Sequence, residues 1–114
     1  MSAITTHVLD TSLGRPAAGV SVLLERQASP GEWHAVGHGD TNADGRLDGL
    51  LPLGEPLTAA IYRLRFDSER YFDARGVQGF YPEVVVMFET SPTESHYHVP
   101  LLLSPFGYTT YRGT

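Results

Sequence analysis

Apolar and polar residues alternate along most of this chain, in short runs separated by glycine and proline. In "AITTHVLD" (3–10), Ile4, Thr6 and Val8 fall on one face of a strand and Thr5, His7 and Leu9 on the other. In "GVSVLLER" (19–26), Val20, Val22 and Leu24 oppose Ser21, Leu23 and Glu25. In "LTAAIYRLRF" (57–66), Tyr62, Leu64 and Phe66 oppose Ile61, Arg63 and Arg65. "WHAVGHG" (33–39) predicts a short strand, and "HYHVPLLLS" (96–104) and "GYTTYRG" (107–113) predict two closing strands. "EVVVMFET" (83–90) is apolar on both faces, which predicts a central strand. Pro100 has no N–H for a ladder, so a bulge or a free edge is expected beside it. "SLGRPAAG", "QASPGE" and "TNADGR" read as turns, the last through its Asp-Gly pair.

"DSERYFDARG" (67–76) departs from period two. Asp67 or Ser68 can cap a helix start, Glu69 is acidic in the first turn, and Gly76 can end it. The pattern as a whole predicts an all-β sandwich or barrel with one short helix, built as one domain over residues 1–114.

Composition then narrows the partners. Eight basic residues, all arginine, stand against thirteen acidic ones, for a formal charge of −5. With no basic cluster, nucleic acid is not an expected partner. The chain has no cysteine, which excludes disulfides and thiolate chemistry. Its longest apolar run, "VVVMF", is strand-sized, so no membrane span is expected. "MSAITTHVLD" lacks the charged and apolar regions of a secretory leader, so the expected compartment is the cytoplasm.

Several residues can carry chemistry. His7 shares the outward face of its strand with Thr5 and Leu9. It is either a solvent-facing imidazole or a general base, since histidine titrates near neutral pH. His96 and His98 form an H-x-H pair on one face, and with a third histidine they could hold zinc. No further ligand is placed by the sequence, so two unrelated imidazoles at a strand end are the plainer expectation. His34 and His38 read as surface residues. "DTNADGR" (40–46) imitates a calcium loop, but its twelfth position is Leu51 instead of a bidentate glutamate, so Asp40, Asn42, Asp44 and Gly45 read as turn residues. Arg46, just past that turn, is either a solvated charge or a rigid fork for an oxyanion or a urea-like edge. Arg63, Arg65, Arg70 and Arg75 interleave with Asp67, Glu69 and Asp73 as a mixed-charge surface.

Taken together, "TTHVLDTSLGRPAAGVSVLLER", "TNADGR", "FDSERYFDARG", "FYPEVVVMFE", "YHVPLLLSPFGYTTYRG" and the terminal "YRGT" resemble the transthyretin-related 5-hydroxyisourate hydrolases over essentially the whole chain. The resemblance implies a transthyretin-like β-sandwich of two four-stranded sheets with one short helix. It also implies a homotetramer, a dimer of dimers, with active sites at the dimer–dimer interface. Carried over by position, the site is His7, Arg46 and His98 as catalytic residues, with Tyr111, Arg112, Gly113 and Thr114 binding substrate. Thr114 stands where that family usually has serine; it keeps a hydroxyl and adds a methyl. Gly113 is expected to permit a backbone turn that brings the end of the sequence to the rim of the cleft.

The implied reaction is hydrolytic opening of the six-membered ring of 5-hydroxyisourate, with no metal or organic cofactor. His7 and His98 would share the roles of base and acid, and Arg46 would stabilise the oxyanion. Other classes remain open at this point. A carrier of a small aromatic ligand fits the same fold. A metal-dependent hydrolase would use His7, His96 and His98.

Overall fold

A computed structural model describes residues 3–114; Met1 and Ser2, which belong to the segment searched for a leader, lie outside the described residues. The chain forms β1 (Ile4–Asp10), β2 (Arg15–Pro16), β3 (Ser21–Ser29), β4 (Glu32–Asp40), β5 (Arg46–Leu47), β6 (Ile61–Phe66), α1 (Ser68–Ala74), β7 (Val84–Glu89), β8 (Tyr97–Ser104) and β9 (Gly107–Thr110). One sheet runs β2-β1-β8-β9, with β5 also pairing β1, and the other runs β4-β3-β6-β7. The two-residue strands β2 and β5 share one edge of β1: β2 faces Leu9 and Asp10, and β5 faces Thr6 and His7. The first sheet is therefore five strands in number but four positions wide, close to the expected four-stranded layer.

The faces follow the alternation. Ile4, Val8, Val20, Val22, Leu24, Tyr62, Leu64, Phe66, Val84, Leu101 and Leu103 fill the space between the sheets with almost no exposure. Burial of each such side chain contributes about 1.5–3 kcal/mol. Thr6 also points inward, and its hydroxyl donates to the Val99 carbonyl at 2.6 Å, which removes the cost of burying it. β1 and β8 run parallel, pairing Ile4 with Tyr97 through Asp10 with Leu103.

The helix starts at Asp67, whose carboxylate accepts from the Arg70 N–H at 3.1 Å, and Gly76 follows its end at φ 70°. Its Tyr71 hydroxyl donates to Asp10 Oδ2 at 2.8 Å and ties the helix to β1.

β7 departs from expectation: it is an edge strand, paired only to β6. Val84 and Val86 face the core, while Val85 and Met87 on the other face are 41% and 59% exposed. Two apolar faces therefore do not by themselves place a strand at the centre of its sheet.

The expectation at Pro100 is met as a free edge without a bulge. β9 pairs with β8 from Leu101–Thr110 to Ser104–Gly107, and the same register resumes beyond a gap as a bridge between His98 and Gly113. The His98 carbonyl accepts from the Gly113 N–H, so the backbone groups of His98, Pro100 and Leu102 all face this edge. Pro100 has no hydrogen to give there, and its carbonyl instead accepts from the Thr110 hydroxyl at 2.7 Å.

Candidate active site

Two adjacent cross-strand rows on the outer face of the first sheet hold the candidate residues. One row is Arg46 of β5, His7 of β1 and Pro100 of β8. The next is Thr5 of β1, His98 of β8 and Gly113 of the terminal segment. Directly paired residues share a face, so the register alone puts Arg46, His7 and His98 on one surface. A cleft of about 300 Å³ lies over it, lined by Thr5, Arg46, Asp48, His96, His98 and Thr114.

The turn before β5 sets two of these groups. Asn42 Oδ1 accepts from the N–H groups of Asp44 (2.9 Å) and Arg46 (3.0 Å), and Gly45 N–H donates to the Asn42 carbonyl at 2.9 Å. Asn42 thus spends its side-chain oxygen on its own turn, as expected of turn chemistry. Gly45 sits at φ 75°, and its carbonyl accepts from Val8 N–H at 2.7 Å. The same turn offers the Asp44 carbonyl to His7 Nε2 at 2.9 Å. A carbonyl only accepts, so Nε2 carries the hydrogen and the lone pair of neutral His7 is on Nδ1.

His98 Nδ1 lies 2.8 Å from Thr5 Oγ1, and the same oxygen lies 3.3 Å from His96 Nε2. The pKa of His98 is held below its ordinary 6.5, first by burial, then by the positive charges of Arg46, His7 and His96; Asp48 pulls the other way. A neutral imidazole at pH 7 beside a fixed guanidinium can take a proton while the guanidinium holds a developing negative charge.

The terminal segment divides. Gly113 N–H donates to the His98 carbonyl at 2.8 Å and delivers Thr114 to the cleft. A Cβ on Gly113 would stand 2.6 Å from His98 Cδ2 and 3.2 Å from Pro100 Cγ. Gly113 does not have a positive φ, so the expected reason for this glycine is corrected: it makes room for the imidazole and does not turn the chain.

Arg112 faces away from the cleft. Its guanidinium lies 4.9 Å from the Tyr97 ring centroid and 3.7 Å from Glu94 Oε1. Tyr111, 56% exposed, lines a separate apolar hollow with Arg112, Met87 and Val99 between the open ends of the two sheets. The structure therefore brings together His7, Arg46, His98, Gly113 and Thr114, while Tyr111 and Arg112 line the hollow on the other side of the segment.

Sequence reasoning gave no role to Thr5 and read His96 and His98 as unrelated. Thr5 shares the parity of His7, which was the available signal, but its contact with both rings depends on the β1–β8 register. Among the described residues, no group of three or more His, Cys, Asp or Glu side chains is arranged to hold a metal ion. The His96 and His98 rings converge on a hydroxyl instead. Arg63 and Arg65 lie on the other sheet, paired with Glu25 and Glu83.

The HIUase/Transthyretin family profile matches residues 4–113. The 5-hydroxyisourate hydrolase of Mus musculus is 46% identical over 114 residues, covering 99% of this chain and 96% of that one. 5-Hydroxyisourate hydrolase 2 of Rhizobium meliloti is 45% identical, covering 97% and 95%. The backbone alone does not separate the branches of the family. Sea bream transthyretin, crystallised with thyroxine, superposes with a TM-score of 0.90 at 31% identity, over 98% of this chain and 95% of that one. Klebsiella pneumoniae 5-hydroxyisourate hydrolase superposes at 0.85 and 33%, over 99% and 100%. The fold, the register and the sequence agree: this chain belongs to the HIUase/transthyretin family.

Proposed function

We propose that this chain is a hydrolase that opens the six-membered ring of 5-hydroxyisourate, giving 2-oxo-4-hydroxy-4-carboxy-5-ureidoimidazoline in urate degradation. The observation that carries this reading is the placement of His7, Arg46 and His98 in adjacent rows on one face, with Arg46 and His98 lining one small cleft. The hydrolases of mouse and Rhizobium meliloti, at 46% and 45% identity, support it. A carrier of an aromatic ligand has no need of an arginine and two imidazoles converging on one small pocket.

Water adds to the lactam-type carbonyl, the carbonyl oxygen becomes an oxyanion, the C–N bond breaks, and the nitrogen leaves with a proton. His98, kept neutral, takes the proton from water. His7, anchored through Nε2, uses its Nδ1 lone pair to hold the other hydrogen of that water. Arg46 holds the oxyanion. Thr114 offers its hydroxyl to the substrate, Gly113 forms the floor beneath His98, and Arg112 keeps that floor in place through Tyr97 and Glu94.

The working unit is a homotetramer, a dimer of dimers, with the cleft at the dimer–dimer interface. Exposed Val85, Met87 and Phe106 support this, since they are apolar side chains that one chain leaves uncovered.

The test generates 5-hydroxyisourate from urate with a urate oxidase and follows its ultraviolet absorbance. The chain should speed its decay well above the spontaneous rate. His7→Ala, Arg46→Ala and His98→Ala should each lower turnover by about 10²–10⁴-fold. Sedimentation should give four times the 12.5 kDa chain mass for the wild type and all three variants. A folded tetramer without activity refutes the hydrolase and favours the carrier. Near-normal turnover in all three variants refutes the site.

A further inference from the structure

We propose that Thr5 is a positioning residue that joins His98 to His96 in a proton relay, so that His96 stores the proton that His98 takes from water. The inference rests on the hydrolase reading above and deepens it.

The hydroxyl of Thr5 lies between two imidazole nitrogens, His98 Nδ1 at 2.8 Å and His96 Nε2 at 3.3 Å. Its residue is only 6% exposed, so water does not readily substitute for either partner. A hydroxyl has one hydrogen and can donate to one ring only. Two arrangements satisfy all three groups. In the first, Thr5 accepts from His98 Nδ1–H and donates to His96 Nε2, which leaves the lone pair of His98 on Nε2. In the second, His96 Nε2–H donates to Thr5, Thr5 donates to His98 Nδ1, and the hydrogen of His98 is on Nε2.

The reaction uses both. From the first arrangement, His98 Nε2 takes a proton from water and hydroxide bonds to the carbonyl carbon. The Nδ1 proton then passes to Thr5 Oγ1, whose own proton passes to His96 Nε2. His98 is now neutral in the second arrangement, and His96 is the imidazolium. When the C–N bond breaks, His98 Nε2–H protonates the departing nitrogen and the relay runs backward. Both histidines return to their starting state, and the proton lost by water has reached the nitrogen.

The site gives a reason for moving the charge. Arg46 and His7 form the row directly beside His98, and the fixed charge of the Arg46 guanidinium opposes an imidazolium there; Asp48 is the carboxylate that acts the other way. His96 immediately precedes β8, two residues before His98 on the side away from that row. From the terminal segment Gly113 packs on the His98 ring, and Thr114 lines the same cleft.

The test uses the full chain with Thr5→Val, which removes the hydroxyl at nearly constant volume, Thr5→Ser, which restores it, and His96→Gln. Nitrogen-15 NMR of the imidazoles reads the tautomer and titration of His98 without substrate. In the wild type and Thr5→Ser, the hydrogen of neutral His98 should move from Nδ1 to Nε2 once His96 is protonated. Thr5→Val and His96→Gln should each abolish that tautomer switch. Thr5→Val should lower kcat about 10- to 100-fold with KM changed by less than about twofold, and Thr5→Ser should recover most of the loss. A wild-type His98 tautomer that does not switch, or equal damage in Thr5→Val and Thr5→Ser, overturns the relay. A tautomer switch that needs the Thr5 hydroxyl, in a folded chain without hydrolase activity, supports the relay and overturns the substrate, so the two readings fail separately.

Discussion

Replacing Gly113 with alanine tests how tightly the end of the sequence is built into the site. The new Cβ would stand 2.6 Å from His98 Cδ2, 3.3 Å from His98 Cγ and 3.2 Å from Pro100 Cγ. Carbon atoms rest at about 3.5–4.0 Å, so the overlap is about 1 Å. One of two things must give. If the ring moves by that amount away from Gly113, its 2.8 Å bond to Thr5 is strained or lost. If the terminal segment moves instead, the 2.8 Å bridge from Gly113 N–H to the His98 carbonyl opens. That bridge lies at a sheet edge and is worth about 0.5–1.5 kcal/mol. Either route separates Thr114 from His98, and a displacement of about 1 Å in a catalytic group can cost about 10²-fold in rate. Gly113→Ala should therefore lower kcat/KM about 100-fold, while the Tm falls by only about 3–8 °C. The 5-hydroxyisourate decay assay and a thermal melt measure both. Gly107→Ala is the control, because its Cβ meets nothing closer than Ser104 Oγ at 3.8 Å, and it should leave both quantities near wild type. A kcat/KM for Gly113→Ala within about threefold of wild type would refute the claim that this glycine exists to admit the imidazole.

Other perturbations separate the turn, the helix tie and the charge around His98. Gly45→Ala forces a side chain onto φ 75° and puts its Cβ 2.4 Å from the Val8 carbonyl oxygen. It should cost about 2–4 kcal/mol in urea unfolding and reduce activity, because Arg46 is the next residue. Tyr71→Phe removes a buried donor from Asp10 and should cost about 1.5–3 kcal/mol. Burial opposes the ionisation of Asp10, but hydrogen bonds from Ser12, Tyr71 and Leu13 outweigh it and hold the carboxyl below 3.8. Its stabilisation is thus present above the unfolded value and is lost as pH falls through the folded one, so Tyr71→Phe should unfold at a higher pH in an acid titration. His98 is protonated below its ordinary 6.5, so the acid limb of kcat/KM should lie below that value. Asp48 is the group that raises it, and Asp48→Asn should move the limb to lower pH; an unmoved or raised limb would contradict the assigned electrostatics.

The buried faces were legible because alternation is a property of each strand by itself. Val20, Val22 and Leu24, and likewise Tyr62, Leu64 and Phe66, face the core as their parity requires. The helix was legible from Asp67 and Gly76 for the same reason, since its cap and its end are local chemistry. What was not legible depends on which strand lies beside which. The edge position of β7 is one case. The Thr5 contact is another, because it joins residues 93 positions apart through the parallel pairing of β1 and β8. His7 could be placed on an outward face from the sequence, but the resemblance to a family was needed to choose Arg46 and His98 as its companions.

Pro100 shows how a local defect that the sequence does reveal can organise a site that it does not. Without a hydrogen on its nitrogen, the strand ladder stops at Leu101–Thr110 and cannot be drawn continuously to the bridge at His98. Tyr111 and Arg112, the residues in the gap, are released from pairing. Arg112 uses that freedom to reach Tyr97 and Glu94 on the far side of the segment. Gly113 then returns to the original register, with its Cα against the His98 ring. An uninterrupted ladder would hold the segment by backbone pairing along its whole length. With the proline, the segment is held at three points: the Thr110 side chain on the Pro100 carbonyl, the Arg112 strut and the Gly113 bridge. Loosening the middle point should therefore disturb the last. Arg112→Ala should raise KM more than it lowers kcat, because it frees the Thr114 side of the cleft and leaves His7, Arg46 and His98 on the sheet. A loss confined to kcat would mean instead that Arg112 reaches the reacting atoms.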